Sequence, residues 1–281
     1  MLKGSIRIDR DVQLTLTEFN EPYYLVLLTE GEASFSVDFN AYRCEGQNIL
    51  FLSPYQLLKL PPKGITHVSI LRFHGDFYCI EYHKEEVACN GLLFNNIYER
   101  PYISTPNPLY QEIDGILQRM VPFENAHSRF DTAIARSYLQ LILALCSREK
   151  IRQRTLPNPA SPALILGKPD FNQMLDKHFI QSRSVRFYAD LYHLSVDAFS
   201  KKIKKRYGKS PSALIKERVV LEAKKLLHLT HKTIREIAAE LGFEDEFYFS
   251  RFFKKTVGVA PAMFRDKVGI SIVAEKSMQN P

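Results

Sequence analysis

The sequence predicts an α+β chain: a β-rich N-terminal half ending in a pair of helices, then an all-α C-terminal domain of seven helices. Three observations predict it. Apolar residues recur with a period of two up to about residue 100 and with a period of three to four beyond it. The positive charge is gathered in the second half. One pattern, a short apolar helix followed by a tight turn and a basic helix, occurs twice in the last hundred residues.

In the N-terminal half, Val12, Leu14 and Leu16 alternate with Gln13, Thr15 and Thr17, and Phe35, Val37 and Phe39 with Ser34, Ser36 and Asp38. This is the pattern of strands with one buried face. YYLVLL at 23–28, NILFL at 48–52 and THVSILRF at 66–73 are continuously apolar and predict more fully buried strands. Turn signals separate them at Thr29-Glu30-Gly31, Glu45-Gly46-Gln47 and Pro61-Pro62-Lys63-Gly64. Many short strands at this spacing predict a small barrel or jelly roll. Leu109, Ile113, Leu117 and Met120 then give a helix over about 107–121. Ile134, Tyr138, Leu141 and Leu145, widened by Leu139 and Ile142, give a second over 128–149. A helix apolar over more than one face sits in a core or shares a surface with a partner chain.

Residues 151–169 hold four prolines and no period, so 151–167 is read as a linker between a 1–150 domain and a 168–268 domain, with a tail at 269–281. The charge divides along the same line. Residues 1–150 carry 14 Lys+Arg against 18 Asp+Glu, a net of −4, and residues 151–281 carry 24 against 13, a net of +11. That asymmetry predicts one polyanion-binding domain beside a domain with another task. Cys44, Cys79, Cys89 and Cys146 fit no zinc spacing and are expected to be reduced thiols of a cytoplasmic protein. MLKGSIRIDRD has no signal-peptide core, and the longest apolar runs, such as LILALC at 141–146, are too short for a membrane span.

The repeated pattern is a helix-turn-helix, at about 185–208 and 233–258. In the first copy Ala189 allows close helix approach, and Leu191 and Leu194 are expected to face the core. Ser195 is an N-cap, Phe199 and Ile203 anchor the inner face, and Gly208 ends the helix. The outer face offers Asp197, Ala198, Ser200, Lys201, Lys204 and Lys205. In the second copy Thr233 and Glu236 form a capping box, Ile234, Ile237, Ala238 and Leu241 make the inner face, and Gly242 forms the turn. Asp245 caps a helix anchored by Phe249 and Phe253, whose outer face offers Glu246, Phe247, Ser250, Arg251, Lys254 and Lys255. Between the copies, Ser210 and Pro211 start a helix buried along Leu214, Val220, Ala223 and Leu227. A basic helix mounted this way enters the major groove of double-stranded DNA. Asp197, Ser200, Lys201, Glu246, Phe247, Ser250 and Arg251 are therefore the base-reading candidates, and Lys204, Lys205, Lys254 and Lys255 the phosphate candidates.

These residues carry a resemblance to the AraC/XylS family of bacterial transcription regulators. It rests on Ala189, Leu194-Ser195, Phe199-Ser200-Lys201, Gly208-Lys209-Ser210-Pro211, Ala223-x-x-Leu226-Leu227, Ile234-x-x-Ile237-Ala238, Leu241-Gly242-Phe243-x-Asp245, Tyr248-Phe249-Ser250-Arg251-x-Phe253-Lys254-Lys255, Gly258 and Pro261-x-x-Phe264-Arg265. Phe247 and Ala260 depart from it, standing where the family usually has a small polar residue and a threonine. The N-terminal half, through its strand run and GQNILFLSP at 46–54, resembles the cupin-like sensor domains of that family. The resemblance implies a non-enzymatic regulator, an activator that answers to a small-molecule effector, pairs through helix 128–149 and contacts RNA polymerase.

Blander readings stand beside these. A run such as KKIKKR at 201–206 is usually a solvated face, and Phe249, Phe253 and Tyr248 are expected to pack in the core. Glu81 and His83 share a strand face near His67 and His74, but no His-x-His occurs, so neither a metal nor a cofactor is expected. A cupin-type enzyme fused to a DNA-binding tail is the alternative, which stoichiometric metal in the purified protein would revive. A ligand-independent pairing module is a third.

Overall fold

The structure, a computed structural model, describes residues 6–12, 18–38, 40–61, 64–78, 91–124, 128–155 and 170–270. The chain falls into two compact units: residues 1–96, 100–156 and 265–281, and residues 97–99 and 157–264.

The strands of the first unit are β1 (Ile6–Asp9), β2 (Glu18–Phe19), β3 (Tyr24–Gly31), β4 (Ala33–Val37), β5 (Asn40–Cys44), β6 (Gln47–Leu52), β7 (Leu58–Lys59), β8 (Ile65–Phe73) and β9 (Tyr102–Ser104). Where the strand spacing predicts a barrel or jelly roll, the described strands form two antiparallel sheets, ordered β1-β8-β3-β6-β9 and β2-β7-β4-β5. β3 lies at the centre of the larger sheet, with Leu27 opposite both Leu50 and Ile70. Leu25 and Leu27 join Phe35 and Val37 in the core shared with the smaller sheet, while Tyr24, Val26 and Leu28 join a second core against the helices. Burial on both faces is why this strand reads as one apolar run instead of an alternating one. The smaller sheet alternates instead, with Ala33, Phe35 and Val37 buried and Ser34 exposed.

The turn expected at Thr29-Glu30-Gly31 comes one residue late, because β3 continues through Gly31. A Cβ on Gly31, at φ +122°, would stand 2.1 Å from the carbonyl oxygen of Gly64. Glycine is required there by both conformation and close backbone approach. The expected strand at 12–17, together with Phe39, Glu81, His83, Cys79 and Cys89, lies largely or wholly outside the described residues. Cys44 and Cys146 are buried free thiols, and burial pushes both up from the usual thiol value. His67 pairs with Asp11 at 2.6 Å and His74 with Asp76 at 3.3 Å. Among the described residues no group of three or more His, Cys, Asp or Glu is placed to hold a metal ion. No described helix is long and apolar enough to cross a membrane.

Two helices complete this unit. α1 (Asn107–Met120) buries Tyr110, Ile113, Ile116, Leu117 and Met120. α2 (Arg129–Thr155) buries Ala135, Leu139, Ile142, Leu143 and Cys146. Residues 151–155, expected in the linker, continue this helix. No proline falls between Pro122 and Pro157, and Lys150 and Gln153 are tied to strand β9: Lys150 Nζ donates to the carbonyl of Tyr102 at 3.1 Å and Gln153 to that of Ser104 at 2.6 Å. The rest of the expected linker, 156–167, lies outside the described residues.

The second unit is helical: α3 (Phe171–His178), α4 (Val185–Leu191), α5 (Val196–Tyr207), α6 (Pro211–Leu229), α7 (Ile234–Glu240) and α8 (Glu246–Val257), with α9 (Pro261–Val268) crossing its boundary at residue 264. The central helix α6 contacts α3, α5, α7 and α8. Its 19 residues span about 28 Å at ~1.5 Å per residue. Ser210 caps it through Ala213 N–H at 3.2 Å, and Leu214, Ala223 and Leu227 are fully buried along it.

Candidate nucleic-acid interface

The first helix-turn-helix is α4, a turn at Tyr192–Ser195, and α5. His193 takes φ +52° in the turn, a position at which the sequence offers no glycine. Ser195 accepts from Ala198 N–H at 3.2 Å, and Asp197 follows in the first turn, where a carboxylate meets the positive helix end. Phe199 and Ile203 are buried. Phe199 stacks on Tyr192 at 5.6 Å and meets Phe171 edge-on at 5.5 Å, so this aromatic floor fixes which face of α5 points inward. Asp197, Lys201, Lys204 and Lys205 are exposed on the other side, with Ser200 half-buried among them. Arg206, the end of the basic run, instead pairs with Asp170, which also accepts from the Tyr207 hydroxyl at 2.7 Å. Gly208, at φ +71°, closes the helix through Lys204 O at 2.9 Å.

Of the inner residues expected on α4 and its turn, Ala189 is buried, Leu194 half-buried and Leu191 exposed. Tyr188 and Ala189 already fill the inner face of this seven-residue helix. Two residues on, at about 100° each, Leu191 has turned to the far side.

The second helix-turn-helix follows the expected grammar more closely. Thr233 accepts from Glu236 N–H at 3.2 Å, and Glu236 accepts from Thr233 N–H at 2.7 Å. The Glu236 carboxylate also accepts from the Thr233 hydroxyl at 2.9 Å, and the two bonds it accepts, from the Thr233 N–H and this hydroxyl, hold it below its usual range. Ile237, Ala238 and Leu241 are buried and Ile234 half-buried. Gly242 turns the chain at φ +73°. Asp245 caps α8 through the N–H groups of Phe247 at 3.1 Å and Tyr248 at 2.8 Å. Phe249 and Phe253 are fully buried, with Phe253 edge-on to Phe264 at 5.7 Å.

On the outer face of α8, Arg251, Lys254 and Lys255 are exposed, Glu246 and Ser250 are half-buried, and Phe247 is 67% exposed. Tyr248, expected to pack, is 56% exposed, although its ring lies 5.9 Å from that of Phe243. The helical period accounts for this: with Phe249 and Phe253 fixed inward, the preceding residue is rotated by about 100° toward solvent. Tyr248 therefore adds a surface aromatic beside Phe247 that the cluster of five aromatic residues between 247 and 253 hides in the sequence.

The site is thus two capped helices whose inner faces are aromatic and whose outer faces carry lysine and arginine, both packed on α6. An arrangement of this kind defines a class: a double helix-turn-helix DNA-binding protein. Comparison with known proteins agrees. The family described as "Helix-turn-helix domain" matches residues 188–267. The chain is 24% identical over 258 residues, 86% of its length and 88% of the relative's, to the virulence regulon transcriptional activator VirF of Yersinia enterocolitica. It is similar to the solved C-terminal domain of AraT, a response regulator from Geobacillus stearothermophilus, at 35% identity over 36% of this chain and 84% of that one, with a TM-score of 0.34. It is also similar to ToxT from Vibrio cholerae, at 16% identity over 95% of this chain and 99% of that one, with a TM-score of 0.40. The helix-turn-helix domain over residues 188–267 and the likeness to transcriptional activators make this chain a DNA-binding transcription regulator that resembles the AraC/XylS family.

Proposed function

We propose that this regulator reads two successive major-groove segments of one duplex, one with α5 and one with α8. The observation that carries the reading is the shared seat of the two helices on α6, with capped N-termini and exposed cationic outer faces. Residues in the first two turns, Asp197, Ser200, Lys201, Glu246, Phe247, Ser250 and Arg251, reach base edges. Lys204, Lys205, Lys254 and Lys255 meet phosphates. Arg251 is the strongest base reader, because a guanidinium matches the O6 and N7 of guanine with two parallel hydrogen bonds. Arg251→Ala is expected to cost ~1–3 kcal/mol on the preferred site and to flatten discrimination at one base pair. Binding to a set of singly substituted sites checks this. Equal weakening on all of them would contradict the base-reading role.

The first unit is proposed as the sensing and dimerisation domain, cupin-like in its two facing sheets, with a small-molecule effector held between them. The regulator is proposed to act as an activator in contact with RNA polymerase, in the cytoplasm and without catalytic activity. Coupling between effector and DNA would be reciprocal, each tightening the other by the same factor. Pairing is assigned to α2. Phe130, Ile134, Leu141 and Ile151 recur along this helix at intervals of four, seven and ten residues and are all exposed, Phe130 at 66%. A stripe of this kind on a helix already buried on its opposite face suits a second copy of the same helix. The double variant Phe130→Glu/Leu141→Glu is expected to shift the full-length protein from dimer to monomer in sedimentation. An unchanged dimer would remove α2 from the interface.

A further inference from the structure

Two recognition helices on one protein read DNA together only if something fixes the angle between them. Both pack on α6, but a second connection runs through the segment joining α3 to α4, residues 179–184. Two contacts tie this segment to the first helix-turn-helix and to α6. The Tyr188 hydroxyl donates to the Ser182 carbonyl at 3.0 Å. The Arg218 guanidinium of α6 lies 3.9 Å from the centre of the Phe179 ring. Arg218 is itself held by Asp176 at 2.6 Å and Glu222 at 3.0 Å.

The same segment grips the turn of the second helix-turn-helix. Arg183 Nη2 donates to the Leu241 carbonyl at 2.5 Å, at the C-terminal end of α7. The Arg183 guanidinium lies 3.7 Å from the centre of the Phe243 ring. Phe243 is buried and packs on α8 through Phe249 at 5.2 Å and Phe252 at 5.4 Å. The turn also lies close against this segment. A Cβ on Gly242 would stand 3.1 Å from the Ile180 carbonyl oxygen. Among the described residues the buried Arg183 Nε has no hydrogen-bond partner, and burial pulls this guanidinium down from its usual pKa. A buried, incompletely satisfied charge is costly to keep. Here its planar face and its fork are both engaged on the turn that carries α8, a fit lysine does not reproduce.

We infer that Arg183 is a positioning residue that locks the second recognition helix to the first, and so sets the spacing of base pairs this regulator accepts between its two DNA segments. Arg183 lies outside both recognition helices. The inference rests on the two-segment reading above.

The test uses full-length protein and a two-segment duplex selected from random DNA by the wild type. The segments are kept and the spacer is shortened or lengthened by one base pair, which turns one segment against the other by about 35° and shifts it by ~3.4 Å. Wild type is expected to lose about tenfold in affinity at each altered spacer, as for one mismatched base pair. Arg183→Ala is expected to compress that loss to about threefold or less, while single-base preferences within each segment stay unchanged. Arg183→Lys and Phe243→Leu, milder changes at the same contact, are expected to fall between, with helix content checked by circular dichroism at the binding temperature. If the folded variants keep the wild-type spacing profile, Arg183 is merely structural and the inference is overturned. If the wild type itself selects one segment only, the two-segment reading fails, and the inference with it.

Discussion

Raising the salt from about 50 to about 200 mM is expected to lower the affinity of the full-length protein for its DNA site by roughly 10³- to 10⁵-fold. The reason is counterion release. Each phosphate neutralised by a lysine or arginine frees condensed cations, and six to ten such contacts give a slope of about −0.9 per contact on logarithmic axes. α5 and α8 present the phosphate candidates Lys204, Lys205, Lys254 and Lys255 on exposed faces, and the proposed dimer would bring eight such lysines to its DNA. Lys204→Ala/Lys205→Ala is expected to reduce the slope by about 1.8, close to two contacts, while base preference is unchanged. Titrations at four or five salt concentrations check it. An affinity that hardly depends on salt would show that these lysines point at something other than a nucleic-acid backbone.

Phe253→Ala is expected to destabilise the second unit by about 3–5 kcal/mol, the range for a large aromatic truncated inside a core. Phe253 is fully buried and packs on Phe249 at 6.0 Å and on Phe264 at 5.7 Å, so its loss leaves a cavity shared by α8 and α9. Phe247→Ala, at a 67% exposed site six residues earlier on the same helix, should change stability by no more than about 0.5 kcal/mol. The pair separates folding from function. Chemical denaturation should find Phe253→Ala strongly destabilised and Phe247→Ala near wild type, with only DNA binding altered in the latter. Equal stability losses in the two variants would contradict the assigned faces of α8.

How much of this was legible in the sequence depends on how local the physics is. The caps at Ser195, Ser210, Thr233 and Asp245, and the positive-φ turns at Gly208 and Gly242, are settled within four residues of chain, and all occur where their patterns place them. The buried stripe of α6 follows from helical period alone. What failed needs the tertiary neighbour. Tyr248 and Leu191 are apolar enough to be read as core, and only the helix rotation set by Phe249, Phe253 and Ala189 turns them outward. The strands β2, β7 and β9 are two or three residues long and show no period; pairing partners define them. Arg183 gives no sequence signal, because its partners Leu241 and Phe243 lie about sixty residues away. The extension of α2 to Thr155 depends likewise on a distant strand edge at Tyr102 and Ser104.

The central claim is that α5 and α8 occupy two grooves of one duplex at once. Hydroxyl-radical footprinting of the full-length protein on a duplex selected from random DNA tests it most directly, run beside Lys201→Ala and Arg251→Ala. The account predicts, for each protomer, two protected segments on one face of the duplex, about 10 base pairs apart, with Lys201→Ala weakening one and Arg251→Ala the other. A lone protected segment, or two variants that erase the same one, would contradict it.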